Sequence, residues 1–242
     1  MTSPTITSVL VIDDNADLAE NIAEILEDQG VDVRLARDAN EALACFDERA
    51  WSLVVTDVRM PGLNGIELLA KLKERSPGTP VLVMTGYADR DTVTRAHESG
   101  ALAVVNKPLD LDAFLELVER VAAAEDAILV VEDDVALCGN LTELLCEERV
   151  LPHPASSLAH ARKLAEVIDF KAALVDLHLP DGNGLALARE LERRPDGSRR
   201  TVIVMTGYPE ELEQPEDGDQ DVVVLAKPFP VPHLLERLRQ LV

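Results

Sequence analysis

The chain has 242 residues, room for one large domain or two of ordinary size. Its hydrophobic share of 47% and charged share of 28% are those of a globular protein, and aromatics at 3% require an aliphatic core. The 23 basic and 45 acidic residues leave a net charge of -22, divided equally between the two halves, which excludes a basic nucleic-acid arm and disfavours an anionic membrane surface.

The opening MTSPTITSVL has neither the basic start nor the long apolar run of a signal peptide, and no apolar run nears the roughly 18 residues of a membrane span. A cytoplasmic location is the expectation. Cys45, Cys138 and Cys146 are an odd set without CxxC spacing, each inside an apolar helical pattern, and read as buried thiols rather than a disulfide or metal site.

In chain order, the apolar run Val9–Ile12 reads as a strand and is followed by Asp13 and Asp14. Leu18, Ile22, Ile25 and Leu26 then share one helical face that ends at Gly30, a residue suited to a left-handed cap. A second strand is expected around Val33 and Leu35, a third at Leu53–Val55 leading into Asp57, and a fourth at Val81–Met84 leading into Thr85 and Gly86. A helix over Ala88 to Ser99, a fifth strand before Lys107 and a helix from Leu111 to about Ala124 complete five β-α units. Strands that are apolar without interruption belong to a parallel sheet covered on both faces by helices.

The pattern then recurs at offsets of 119 to 121 residues: ILVVEDDVAL at 128–137 repeats VLVIDDNADL, AALVDLHLPDGNG repeats LVVTDVRMPGLNG, VIVMTGY repeats VLVMTGY, and VLAKPF repeats VVNKPL. The chain is therefore read as α/β, two doubly wound, flavodoxin-like domains over 1–124 and 125–242, each with strand order 2-1-3-4-5. Pro152 and Pro154 occupy the second strand of the later copy, and prolines are tolerated only where a strand lies at a sheet edge, as the second strand does in that order. The link between the copies has no Gly/Ser/Pro run, so a fixed or narrowly restricted arrangement is expected.

Ligands of such sheets collect at the carboxyl ends of the strands. There the order places Asp13, Asp14, Asp57, Thr85 and Lys107 around one crevice. Crowded carboxylates call for a hard divalent cation with oxygen ligands, and Mg²⁺ fits. One carboxylate can then attack a phosphoryl group whose charge a lysine ammonium stabilises, and a hydroxyl can bond the new phosphate. These roles are assigned to Asp57, Lys107 and Thr85. Singly, each residue has a plainer reading: Asp13 or Asp133 as a helix N-cap, Thr-Gly as a turn, Lys-Pro as a surface loop. Their joint occurrence, in order and twice, outweighs it.

The acidic pair, the lone aspartate after the third strand, Thr-Gly and Lys-Pro closely resemble the receiver domain of bacterial response regulators over nearly the whole chain. The resemblance implies that Asp13, Asp14, Asp57 and the backbone carbonyl of Arg59 hold Mg²⁺, and that Glu132, Asp133, Asp176 and the carbonyl of His178 do so in the second copy. Asp176, Thr206 and Lys227 then repeat the phosphoacceptor, hydroxyl and lysine roles. It also implies cis peptides at Lys107-Pro108 and Lys227-Pro228 and a phosphohistidine donor, on a sensor histidine kinase or a histidine phosphotransfer protein. A downstream protein target and a homodimer through the fourth- and fifth-helix face of the first copy complete the expected partners, with no nucleic acid and no membrane. No turnover beyond phosphorylation and hydrolysis of the aspartate itself is expected.

Two departures stand out. The ring that receivers carry three residues before the lysine is replaced by Val104 and Val224, removing the aromatic part of the usual switch. In the second copy the segment after Tyr208, with Pro209, Pro215, Gly218 and seven acids from Glu210 to Asp221, predicts a fourth helix that is short, irregular or absent. That copy is also open to the reading of a docking pseudo-receiver. A haloacid-dehalogenase-like phosphatase needs a second Asp two residues after the nucleophile, where Arg59 and His178 stand, and neither first β-α turn has a GxGxxG or P-loop pattern. No effector domain follows the last helix, which leaves open a relay acting by protein contacts or a fragment of a larger regulator.

Overall fold

A computed structural model of the chain describes residues 8–86, 89–122, 124, 126–193, 197–209 and 223–239. They form two compact units, each around its own five-stranded parallel sheet.

In the first unit the strands are β1 (Ser8–Ile12), β2 (Asp32–Ala36), β3 (Leu53–Asp57), β4 (Val81–Thr85) and β5 (Ala103–Asn106), in spatial order β2-β1-β3-β4-β5. The helices between and after them are α1 (Ala16–Asp28), α2 (Ala39–Glu48), α3 (Gly65–Arg75), α4 (Arg90–Glu98) and α5 (Leu111–Ala122). Val9, Leu10, Val11 and Ile12 are fully buried, as are Leu53, Val54, Val55 and Val81–Met84, which is why these strands carry no polar alternation. Each buried aliphatic side chain contributes roughly 1.5–3 kcal/mol. α1 buries Ala19, Ile22, Ala23 and Leu26, the spacing of one helical face, and ends at Gly30 with φ +83°. Leu10, Ile12, Val54, Leu68, Leu69, Leu72 and Val83 form the centre of the core on one side of the sheet, and half-buried Val104 packs against it.

The second copy of the sequence repeats the plan with β6 (Asp126–Val131), α6 (Val135–Glu147), β7 (Val150–Ala155), α7 (Leu158–Val167), β8 (Ala172–Asp176), α8 (Gly184–Glu192), β11 (Thr201–Thr206), β12 (Val223–Ala226) and α9 (Val231–Arg239). Its sheet order, β7-β6-β8-β11-β12, is the same topology, with proline-bearing β7 at the edge as expected. Between β8 and α8 the chain makes a short antiparallel ribbon, β9 (His178–Leu179) with β10 (Gly182–Asn183), a pairing not found among the described residues of the first unit. The expectation of a damaged fourth helix falls on residues 210–222, which lie outside the described residues.

Helix starts follow local chemistry. Asn64 and Glu67 form a reciprocal capping box at α3, Asp38 caps α2 and Ser157 caps α7. Asp13 and Asp133 are not the caps, in keeping with their placement in the acidic site: Asn15 accepts the Leu18 N–H at α1, and Asp134 accepts the Ala136 and Leu137 N–H groups at α6. The cap lies two residues past Asp13 in the first receiver and one past Asp133 in the second, which leaves those acids at the sheet edge. All three cysteines are free and buried, and burial pushes the Cys146 thiol up to about 12. No described helix is long and apolar enough to cross a membrane.

Candidate functional site

Asp57 is the last residue of β3, Thr85 the last of β4, Asp13 the first residue after β1, and Lys107 the first after β5. Parallel register brings all four to one sheet edge, because β1 pairs with β3, β3 with β4 and β4 with β5. Asp13 and Asp57 are buried and Asp14 is exposed; their carboxylate oxygens lie within 4.8 Å of one another. The Lys107 ammonium donates to Asp13 Oδ2 at 2.7 Å and lies 3.0 Å from Asp57 Oδ1. The backbone holds that lysine in place, since its N–H donates to the Thr85 carbonyl at 2.7 Å. The other oxygen of Asp13 accepts the Asn15 N–H at 2.9 Å.

The same arrangement recurs at the second sheet. Glu132, Asp133 and Asp176 bring carboxylate oxygens within 4.8 Å, the first and last buried and the middle one exposed. The Lys227 ammonium donates to Glu132 Oε2 at 2.7 Å and lies 3.1 Å from Asp176 Oδ2. Thr206, fully buried at the end of β11, accepts the Tyr208 N–H on its hydroxyl oxygen at 3.0 Å. Both Lys-Pro bonds, Lys107-Pro108 and Lys227-Pro228, are cis.

Electrostatics separate the two sites from ordinary ion pairs. Burial raises the Asp57 carboxyl above the usual range, against the opposing pull of Lys107. Burial likewise pushes Glu132 up to about 7, with Lys227 opposing and the Asp176 charge adding to the rise. For both lysines burial pulls downward, but the carboxylate partners outweigh it and the ammonium is held above its ordinary value. Each crevice therefore concentrates more negative charge than its single lysine balances. The donor set is all oxygen, which matches a hard cation of the magnesium type.

Arg59 and His178 each stand two residues after the central aspartate and are exposed. Each side chain is packed locally. Arg59 lines a pocket of about 420 Å³ together with Asp14, Met60, Ile66, Thr92 and Arg95. His178 meets Tyr208 edge to face, with ring centroids 6.0 Å apart. Asp181 was also missed: its two carboxylate oxygens accept the Leu158 and Ala159 N–H groups, both at 2.9 Å, and tie the β8–α8 loop to the start of α7. These partners are 22 and 23 residues apart in sequence, beyond the reach of any local capping motif.

Comparison with known proteins decides the family. The family model for the response regulator receiver domain matches residues 9–119 and again 128–239. The chain belongs to the response regulator receiver family. A response regulator receiver protein of Anaeromyxobacter sp. is 38% identical over 233 residues, spanning 96% of this chain and 94% of that one. The DNA-binding transcriptional regulator NtrC of Salmonella typhimurium is 34% identical over 112 residues, 46% of this chain but only 24% of that protein. Among solved structures, the chemotaxis response regulator CheY4 of Vibrio cholerae aligns over 48% of this chain and 99% of its own, with 27% identity and a TM-score of 0.46. The protein is thus a tandem of receiver domains of two-component signalling. Receiver domains of this family work with histidine kinases or phosphotransfer proteins and use Mg²⁺ at an acidic cluster, and each of the two receivers has such a cluster.

Proposed function

We infer that each receiver takes a phosphoryl group from a phosphohistidine donor onto an aspartate, Asp57 in the first and Asp176 in the second, and that the new charge switches protein contacts. The observation that carries this reading is the repeated bridge of one lysine ammonium between two buried carboxylates, Lys107 with Asp13 and Asp57, and Lys227 with Glu132 and Asp176. Asp13, Asp14 and Asp57 would hold Mg²⁺ in the first receiver with the Arg59 carbonyl, and Glu132, Asp133 and Asp176 with the His178 carbonyl in the second. When bound, the cation neutralises part of the charge on the carboxylates and on the incoming phosphoryl oxygens.

A carboxylate oxygen of Asp57 attacks phosphorus, the O–P bond forms, and the N–P bond to the donor imidazole breaks with its electron pair left on nitrogen. Lys107, bonded to the attacking carboxylate at 3.0 Å, offers its ammonium to the developing phosphoryl charge. Thr85, buried at the neighbouring strand end, offers a hydroxyl donor to the product. Asp176, Lys227 and Thr206 take the same parts in the second receiver. Each domain forms and hydrolyses only its own acyl phosphate and turns over no separate substrate.

One observation favours a second reading for the later domain, a mainly docking role: its β8–α8 loop is held by the β9–β10 ribbon and by the Asp181 bonds to α7, which oppose loop movement. The test for both is phosphorylation of the wild type, Asp57→Asn and Asp176→Asn by acetyl phosphate with Mg²⁺, with the acyl phosphate located by mass spectrometry. Label at both aspartates, each lost in its own variant, is the expected result. Label on Asp57 alone assigns docking to the second receiver, and label on neither removes the phosphoacceptor reading.

A further inference from the structure

The first receiver carries 11 basic against 22 acidic residues, yet two of its arginines, Arg59 and Arg95, line a pocket of about 420 Å³ that also contains Asp14. Asp14 in turn lies within 4.8 Å of Asp13 and Asp57 at the carboxylate level. Arg59 comes from the loop after β3, whereas Arg95 and Thr92 come from α4, so the pocket joins the phosphoacceptor loop to that helix. The Asp89 carboxyl that caps α4 is held below its usual range, first by the Thr92 N–H and to a lesser degree by the Arg59 charge, which puts Arg59 within electrostatic reach of the helix start. Arg95 is exposed and forms no ion pair among the described residues.

α4 is the least anchored helix of this unit. Ala96 is its one buried residue, against four in α1 and five in α3. The adjacent His97 has a buried Nδ1 with no hydrogen-bond partner among the described residues, a cost that a different helix position can remove. The valine at 104 is half-buried against the first core and offers no ring to carry a signal from Thr85 to the α4 side.

We propose that Arg95, assisted by Arg59, binds the phosphoryl group formed on Asp57 and draws α4 toward the carboxylate cluster, so that this arginine pair does the coupling that the missing aromatic leaves undone. The inference rests on the reading of Asp57 as the phosphoacceptor. A phosphoryl group adds about 1.5–2 negative charges and three acceptor oxygens. A guanidinium fork matches those oxygens in pairs, which an ammonium cannot do. With one small side chain to unseat, α4 can follow at little cost in buried area. Arg95 is in this role a phosphate-contacting residue on the moving element, and Arg59 a positioning residue on the fixed loop.

The test uses the whole chain with Mg²⁺ and beryllofluoride, whose fluoroberyllate stands in for the phosphoryl group on the aspartate. Fluorine NMR reads occupancy of the site, and hydrogen exchange by mass spectrometry reads the α4 amides. In the wild type, exchange in α4 slows several-fold on occupancy. Arg95→Ala still binds fluoroberyllate but loses at least four-fifths of that change, Arg95→Lys keeps part of it, and Arg90→Ala, on the same helix outside the pocket, keeps all of it. A bound fluoroberyllate with α4 unchanged in the wild type, or changed equally in Arg95→Ala, overturns this inference alone. No fluoroberyllate signal from Asp57 in the wild type overturns the phosphoacceptor reading along with it.

Discussion

Gly65 and Gly184, the first residues of α3 and α8, provide a stringent test of how the fold positions its aspartates. A β-carbon at Gly65 would lie 1.9 Å from the Asp57 carbonyl oxygen, 2.8 Å from its carbonyl carbon and 3.0 Å from the Val58 α-carbon. At Gly184 the corresponding distance to the Asp176 oxygen is also 1.9 Å. Contacts under 3.0 Å are essentially never tolerated, so the helix start and the aspartate backbone must part by more than 1 Å. All three neighbours at Gly65 are backbone atoms of the strand end, and no side chain can rotate away to relieve the contact. That separation also breaks the Gly65 N–H bond to the Val58 carbonyl, now 2.9 Å, a loss of about 1 kcal/mol. Overpacking adds about 1–3 kcal/mol, whereas the helical preference for alanine returns at most about 1 kcal/mol.

The expected result for Gly65→Ala is a net loss of about 2–3 kcal/mol, confined to the first receiver, with Gly184→Ala doing the same to the second. Urea titration followed peptide by peptide through hydrogen exchange separates the two units. The Asp57 carboxylate moves with its backbone, and a shift of that size ends its 3.0 Å contact with Lys107. Labelling of Asp57 is therefore expected to fall at least tenfold. A Gly65→Ala protein within 0.5 kcal/mol of wild type and labelled at the wild-type rate would refute the close-approach argument.

Two further outcomes follow from the second receiver. Glu132 titrates near 7 against an ordinary value of 4.5, so between those limits the metal-free folded domain holds a proton that the unfolded chain has released, and stability falls as pH rises through that window. Metal binding needs the carboxylate, so Mg²⁺ affinity at this site is expected to drop up to tenfold per pH unit below about 7, with proton release measurable by calorimetry in two buffers; equal affinity at pH 6 and pH 8 sinks the claim. Asp181→Ala removes the acceptor of two α7 N–H groups and is expected to cost about 1 kcal/mol and to speed hydrogen exchange in both the start of α7 and the β8–α8 loop, whereas an effect on α7 alone would deny the tie.

The fold was legible because its strands are buried on both faces and its helices are not. Val9–Ile12 and Val81–Met84 can only be central parallel strands, and the prolines of β7 can only be at an edge. Residues at strand ends were legible for the same reason, since the sheet order converts five separated motifs into neighbours. Helix ends were nearly right, with α4 expected over 88–99 and found at Arg90–Glu98. What escaped notice depends on contacts between elements: Asp181 reaching α7, Arg95 facing the loop after β3, and His178 meeting Tyr208. None has a sequence period or a local motif.

The prolines of β7 bear on a hazard that a duplicated sequence creates for itself. Two copies of one fold on one chain can exchange equivalent strands while folding, and every open sheet edge is a place where such an exchange begins. Pro152 and Pro154 alternate, so the N–H groups they lack belong to the same side of the strand. A β7 strand can complete a sheet but cannot be continued by another strand on that side, and it cannot be lodged in the interior of either copy. Two missing donors thus make the later copy's second strand a terminator at that edge, closing one of the places where strand exchange between the repeats could begin.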